Sequence, residues 1–312
     1  MRQPSVFVEA GLPEHVTIYE VGPRDGLQNE ARPVPTATKI EFVHRLVDAG
    51  LAVVETTSFV RPEWVPQLAD AGDVLAGLRR RPGVRYPVLV PNERGLVRAL
   101  EAGVEEIAIF ASATESFARR NLNRSIAESL SMFAPVAVQA LAAGLRVRGY
   151  LSMCFGDPWE GTVEPGSVVD VASRLLEMGC AEVSLGDTIG VATAGQVAAL
   201  LDNFEAAGIG PDRLAVHFHD TYGQALANTV AALGRGITVV DASAGGLGGC
   251  PYAESATGNL ATEDLVWLLH GLGITTGVDL ERLVATSVWM AVQLKRASPS
   301  RVVQALAGDG DA

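Results

Sequence analysis

Short runs rich in β-branched and aromatic residues alternate along this chain with longer stretches whose apolar positions recur every three to four residues. Eight runs of the first kind stand out: HVTIYEVG from His15, AVVETTSF from Ala52, RYPVLVP from Arg85, EEIAIFA from Glu105, RVRGYLSM from Arg146, AEVSLGD from Ala181, RLAVHFHD from Arg213 and VVDASAG from Val239. Each reads as a strand. Helical patterns fall between them, starting near Pro35, Glu93, Ser125, Pro165, Thr193 and Gln224, and several end in glycine, the residue that closes helices in the left-handed conformation.

Eight strand–helix units with no break in composition predict an α/β protein, a (β/α)8 TIM barrel. DLERLVATSVWMAVQL, from Asp279, adds a helix outside the barrel. We expect one catalytic domain over residues 1–312, with 274–312 as a C-terminal helical extension. The competing architecture is an open parallel sheet with a second domain. In a barrel the active site lies where strands end and the following loops begin.

Composition narrows the function. With 312 residues, 48% apolar and 19% charged, the chain can bury a large core, and no apolar run reaches bilayer length. A net charge of −12 argues against nucleic-acid and anionic-membrane partners, which need a basic face. Cys154, Cys180 and Cys250 are an odd number without paired spacing, which argues for a reducing compartment. The N-terminal stretch lacks a basic start followed by an apolar run, so we expect the cytoplasm.

Polar residues gather at the predicted strand ends. EVGPRDGLQNE places Glu20, Arg24, Asp25, Gln28 and Asn29 after the first strand; Glu55 ends the second, Asp187 the sixth, and His217 and His219 the seventh. Two imidazoles two residues apart on a strand face the same side. With Asp25 they form a mixed nitrogen and oxygen set suited to Mg²⁺, Mn²⁺ or Zn²⁺. The pair alone fits two core histidines equally well. Cys250 lies in the Gly-rich GGLGGCPYAESATGN, where it reads either as an acid–base group on a closing loop or as an inert thiol.

Taken together, EVGPRDGLQNE, ASATESFARRNLNRSIAESL, SLGDTIGVATAGQV, HFHDTYGQALAN, GLGGCPYAESATGNLATEDLV and SPSRVVQAL resemble the 3-hydroxy-3-methylglutaryl-CoA lyase family, in a superfamily of metal-dependent lyases and Claisen-condensing barrels. The resemblance implies a divalent metal, Mg²⁺ or Mn²⁺, on Asp25, His217, His219 and Asn259. It implies that Arg24 faces the thioester oxygen, that Glu55 orients Arg24, and that Asp187 and His217 handle the hydroxyl proton. Cys250 would deliver a proton to carbon on a loop supported by Glu263. Gln28, Arg148 and Thr188 would contact the acyl group. Arg119, Arg120 and Arg124 read either as partners of the CoA phosphates or as a solvated face. The implied partners are an acyl-CoA substrate and a second copy of the chain, a homodimer.

The chain departs from the family at Ser255, usually glycine, and at Ala244 and Gly245, where the usual signature reads SVAGLGG. These changes spare every implied ligand and leave open a related 3-hydroxyacyl-CoA as substrate. The rivals are an acetyl-CoA-dependent 2-oxo acid synthase, a non-catalytic acyl-CoA-binding barrel and a zinc hydrolase.

Overall fold

The computed structural model describes residues 2–249 and 258–307. All eight expected strands are present: β1 Thr17–Glu20; β2 in two pieces, Val53–Val54 and Thr57–Ser58; β3 Val88–Leu89; β4 Glu106–Ser112; β5 Arg146–Ser152; β6 Glu182–Asp187; β7 Leu214–Phe218; and β8 Val239–Ala242. They pair in parallel in chain order, and β8 returns to β1 with Thr17 opposite Val239 and Glu20 opposite Ala242. The ring closes at β2. Its first piece pairs with β1, Tyr19 opposite Val53, and its second with β3, Thr57 opposite Val88. Between the pieces Glu55 N–H donates to Glu20 O and Thr56 N–H to Pro87 O, so the strand passes its bonding from one neighbour to the other.

The outer ring comprises α1 Thr36–Asp48, α2 Ala71–Gly77, α3 Glu93–Glu101, α4 Glu115–Leu122, α5 Ile126–Ala142, α6 Pro165–Glu177, α7 Ala194–Ala206, α8 Ala225–Leu233 and α9 Thr262–Gly271. Then α10, Leu280–Leu294, lies against α1, and α11, Arg301–Leu306, against α9 and α10. Four of these helices, α2, α4, α9 and α11, were not expected from the periodicity. By contrast α5 starts where its sequence announces it, with Ser125 and Glu128 exchanging hydrogen bonds as a capping box.

Strand alternation sorts side chains into two cores. Outward residues such as Ile107, Ile109, Val147, Val183, Leu185 and Val216 are buried against the helices in one continuous cluster. The inward set is polar. Tyr19, Glu55, Arg148, Tyr150, Glu182, Ser184 and Asp241 are all buried inside the ring, where the fold commonly stacks branched aliphatic side chains. Arg148 is wholly buried, its guanidinium 3.8 Å from the ring centre of Tyr19 and 4.8 Å from that of Tyr150. Its Nε donates to Glu182 and its two terminal nitrogens to Asp241.

Candidate active site

The loop after β1 is a π-helical turn, Gly22–Gly26, in which Val21 O accepts from the N–H groups of Arg24, Asp25 and Gly26. Such turns are rare and cluster at functional sites. This one turns Arg24 and Asp25 into the barrel mouth. Gly26 is required beside them, because a Cβ there would lie 2.8 Å from both Leu247 Cβ and Ser243 Oγ.

Arg24 is buried. Its Nε donates to Glu55 Oε2 at 2.6 Å and its Nη1 to Asp25 Oδ1 at 2.7 Å, and its guanidinium lies 5.3 Å from the ring centre of Tyr150. Tyr150 Oη donates to the same Glu55 oxygen at 3.1 Å. Glu55, in the break of β2, therefore clamps Arg24 from below. The other oxygen of Glu55 is buried with no partner among the described residues.

Asp25, His217 and His219 each offer a ligand atom, all within 4.8 Å of one another. Asn259 reaches them from the segment after the eighth strand, because Asn259 and His219 form a backbone bridge and Leu260 N–H donates to Phe218 O. The Asn259 amide nitrogen donates to Asp25 Oδ2 at 2.8 Å and to Leu247 O at 3.0 Å, which leaves Asn259 Oδ1 buried without a donor among the described residues. His219 Nδ1 is likewise buried with no partner among the described residues. Orphaned acceptors beside a carboxylate are costly unless something positive satisfies them. A divalent cation fits that requirement. Protonation states agree: burial would raise the Asp25 carboxyl, but Arg24, the two imidazoles and the Asn259 amide bring it down to about 2. Burial, with His217 nearby, brings His219 down to about 4, leaving it a neutral ligand.

Asp25, His217 and His219 line one wall of a cavity of about 640 Å³, which Gln28 and Thr188 also line. Thr188 Oγ1 accepts from Met153 N–H. From α4 the wall is formed by Phe117, Asn121 and Leu122. Arg119 pairs instead with Glu115, and Arg120 stacks 4.3 Å from the ring centre of Trp159. Arg124 is exposed on the loop after α4.

Arg148 corrects the expectation that it contacts the acyl group. It is fully enclosed beneath the site, with acids on all the bonds described above, and does not line the cavity. Asp187 ends β6 as expected, and its carboxyl accepts from Val191 and Ala192 N–H. Burial pushes that carboxyl up to about 6 against the pull of those donors. Glu263 lies under the loop base, accepting from Gly245 N–H and Ser287 Oγ. Gly245 has φ +68°, so glycine at this departure from the family pattern sits where it costs least. Cys250 and Ser255 fall outside the described residues.

Sequence reasoning passed over Tyr150, Ser184 and Asp241. The signal was available: each has the inward parity of its strand, and Asp241 is a charge in the middle of an otherwise apolar one.

The chain is 52% identical to the cytoplasmic 3-hydroxy-3-methylglutaryl-CoA lyase of Rattus norvegicus, over 95% of this chain and 86% of that protein. It is 52% identical to the mitochondrial hydroxymethylglutaryl-CoA lyase of the same species, over 98% and 94%. The crystal structure of hydroxymethylglutaryl-CoA lyase from Pseudomonas aeruginosa superposes with a TM-score of 0.93 at 52% identity, covering 95% of this chain and 99% of that one. A carboxyl transferase domain at 18% identity shares the fold alone. With its model matched over residues 15–289, the chain belongs to the HMGL-like family.

Proposed function

We propose that this protein is a carbon–carbon lyase that cleaves 3-hydroxy-3-methylglutaryl-CoA to acetyl-CoA and acetoacetate. The observation that carries this reading is the convergence of Asp25, His217, His219 and the orphaned Asn259 oxygen beside a buried, clamped arginine. Cleavage runs through two high-energy anions, a tertiary alkoxide and a thioester enolate. Asp25, His217, His219 and Asn259 would hold a divalent ion, Mg²⁺ or Mn²⁺, which when bound supplies Lewis-acid lowering of the hydroxyl pKa and fixes the orientation of the diacid end.

The chain's own residues do the rest. Arg24, held by Glu55 and Asp25, presents its remaining N–H groups to the thioester oxygen, where negative charge grows as the carbon–carbon bond breaks. The clamp sets that geometry before substrate arrives, which is where electrostatic stabilisation gains most. Asp187, which stands behind the cavity wall with its carboxyl raised by burial to about 6, manages the hydroxyl proton. The electron pair of the broken bond passes to the acetyl-CoA carbon, and Cys250, on the loop that Glu263 anchors, donates a proton there. Gln28 and Thr188 line the acyl end. Residues 1–312 act as one catalytic unit in the cytoplasm, as a homodimer, without nucleic-acid or membrane partners.

The test is purified protein with Mg²⁺ or Mn²⁺ and 3-hydroxy-3-methylglutaryl-CoA, assayed for acetoacetate and acetyl-CoA. No turnover, together with cleavage of a longer-branched analogue, would overturn the substrate while sparing the chemistry. Condensation of acetyl-CoA with a 2-oxo acid in its place would overturn the lyase. An undiminished rate in Cys250→Ala would remove the thiol from proton transfer.

A further inference from the structure

Below the mouth, Asp241 is a hub. Its carboxyl accepts from Arg148 Nη2 at 2.6 Å and Nη1 at 3.1 Å, from Ser184 Oγ at 2.8 Å, and faces His217 Nδ1 at 3.3 Å. The residue is 1% exposed, in the middle of β8 and in register with His217 on β7. A carboxylate paired to a guanidinium through both oxygens is an acceptor only. The imidazole nitrogen facing it must therefore carry the proton, and the lone pair of His217 is confined to Nε2. Among the described residues no other hydrogen bond holds that ring. Its neighbours Tyr150 and His219 touch it edge-on and tilted, at ring-centre distances of 6.3 and 5.3 Å.

We infer that Asp241 is the positioning residue for His217: it sets the tautomer and the ring angle so that Nε2 is offered to the divalent cation, and Arg148 and Ser184 hold Asp241 in place to do so. The inference rests on reading Asp25, His217, His219 and Asn259 as the cation site. It also reassigns His217. With Nδ1 engaged by Asp241 and Nε2 given to the cation, the ring has no nitrogen left to accept a proton from substrate, and that duty stays with Asp187. Arg148 reaches the chemistry by the same route, two residues removed from the substrate it was expected to touch.

Metal-free full-length protein is titrated with Mn²⁺ and the dissociation constant read by calorimetry or by loss of the free-ion spin resonance signal. Asp241→Asn is expected to weaken binding by about 10–100-fold, the usual effect of losing such an outer partner. In a His217→Gln background the same change is expected to weaken it no further, since the ring through which Asp241 acts is gone. A purely structural role would lower affinity in both backgrounds. Independently, long-range proton–nitrogen spectra of metal-free wild-type protein labelled at its 5 histidines, with His217 assigned from the His217→Gln spectrum, are expected to show the Nδ1–H tautomer. Equal affinity in Asp241→Asn, an additive loss in the double variant, or an Nε2–H tautomer would each overturn the inference. Should wild-type protein bind no Mn²⁺, the cation reading falls, and the tautomer alone decides whether Asp241 orients the ring. Should Asp241→Asn not fold, the wild-type tautomer decides it again.

Discussion

Replacing Arg148 by methionine removes a fully buried cation from the centre of the barrel, and the structure sets the size of the effect. Three hydrogen bonds to two carboxylates disappear, at 3.0 Å to Glu182 and at 3.1 and 2.6 Å to Asp241. Glu182 keeps Arg146 at 3.7 Å, whereas Asp241 keeps Ser184 and His217 but no guanidinium. Breaking a buried pair from one side costs about 3–5 kcal/mol, because the partner is left charged and dry. Unfolding entropy of about 2.1 cal/mol/K per residue converts that, for a chain of 312 residues, into a Tm lower by about 5–8 °C. Differential scanning calorimetry of Arg148→Met and of Arg148→Met/Asp241→Asn tests it. The double variant, which carries no orphaned Asp241 charge, is expected to recover more than half of the loss. A single variant within about 1 °C of wild type, or a double variant less stable than the single, would refute the claim that this interior is held by its ion pairs.

Gly26→Ala is expected to destabilise by about 1–3 kcal/mol through overpacking against Leu247 and Ser243. It should also cut turnover by about 10²-fold through displacement of Asp25, both readable from calorimetry and a steady-state assay. Chelation should lower Tm reversibly; at a metal concentration about 100 times the Kd the ion contributes about 2.7 kcal/mol, restored by adding Mn²⁺ back. Glu263 predicts a pH dependence: burial raises its carboxyl from 4.5 to about 8 in the folded chain. Between those values the native state holds a proton that the unfolded state has lost, so stability falls as pH rises through the window and levels off above about 8. Glu263→Gln should flatten that slope in denaturant titrations at a series of pH values, and an unchanged slope would show that Glu263 does not titrate there.

Short runs rich in β-branched and aromatic residues were enough to locate every strand of the barrel, because parallel strands buried on both faces leave apolar signatures. Helices were less legible where their caps were spent elsewhere. Asp70 precedes α2 but gives its carboxyl to Thr36 and Lys39, and α9 starts after Ala261, which has no side chain to cap with. The segment GPRDG is expected only as the loop after the first strand, and only three-dimensional bonding shows a π-helical turn. Arg24, Asp25, Glu55, His217, His219 and Asn259 meet because their strand ends share one rim, a prediction of topology rather than of local sequence. Arg148 was misplaced for the complementary reason. Strand parity shows that it points inward but not how far below the mouth it lies, nor that tyrosines and acids enclose it.

The seam between β1 and β8 joins residues 17–20 to 239–242, and the candidate ligands straddle it, Asp25 on one side and His217, His219 and Asn259 on the other. Pairing of such distant segments is among the last events a growing chain can complete, since loop closure must precede its reward. A ribosome-bound chain shorter than residue 259 has no complete cation site, however well its earlier βα units have formed. Cation uptake thus reports barrel closure, and timed against synthesis or refolding it would date the moment when the ring becomes one object.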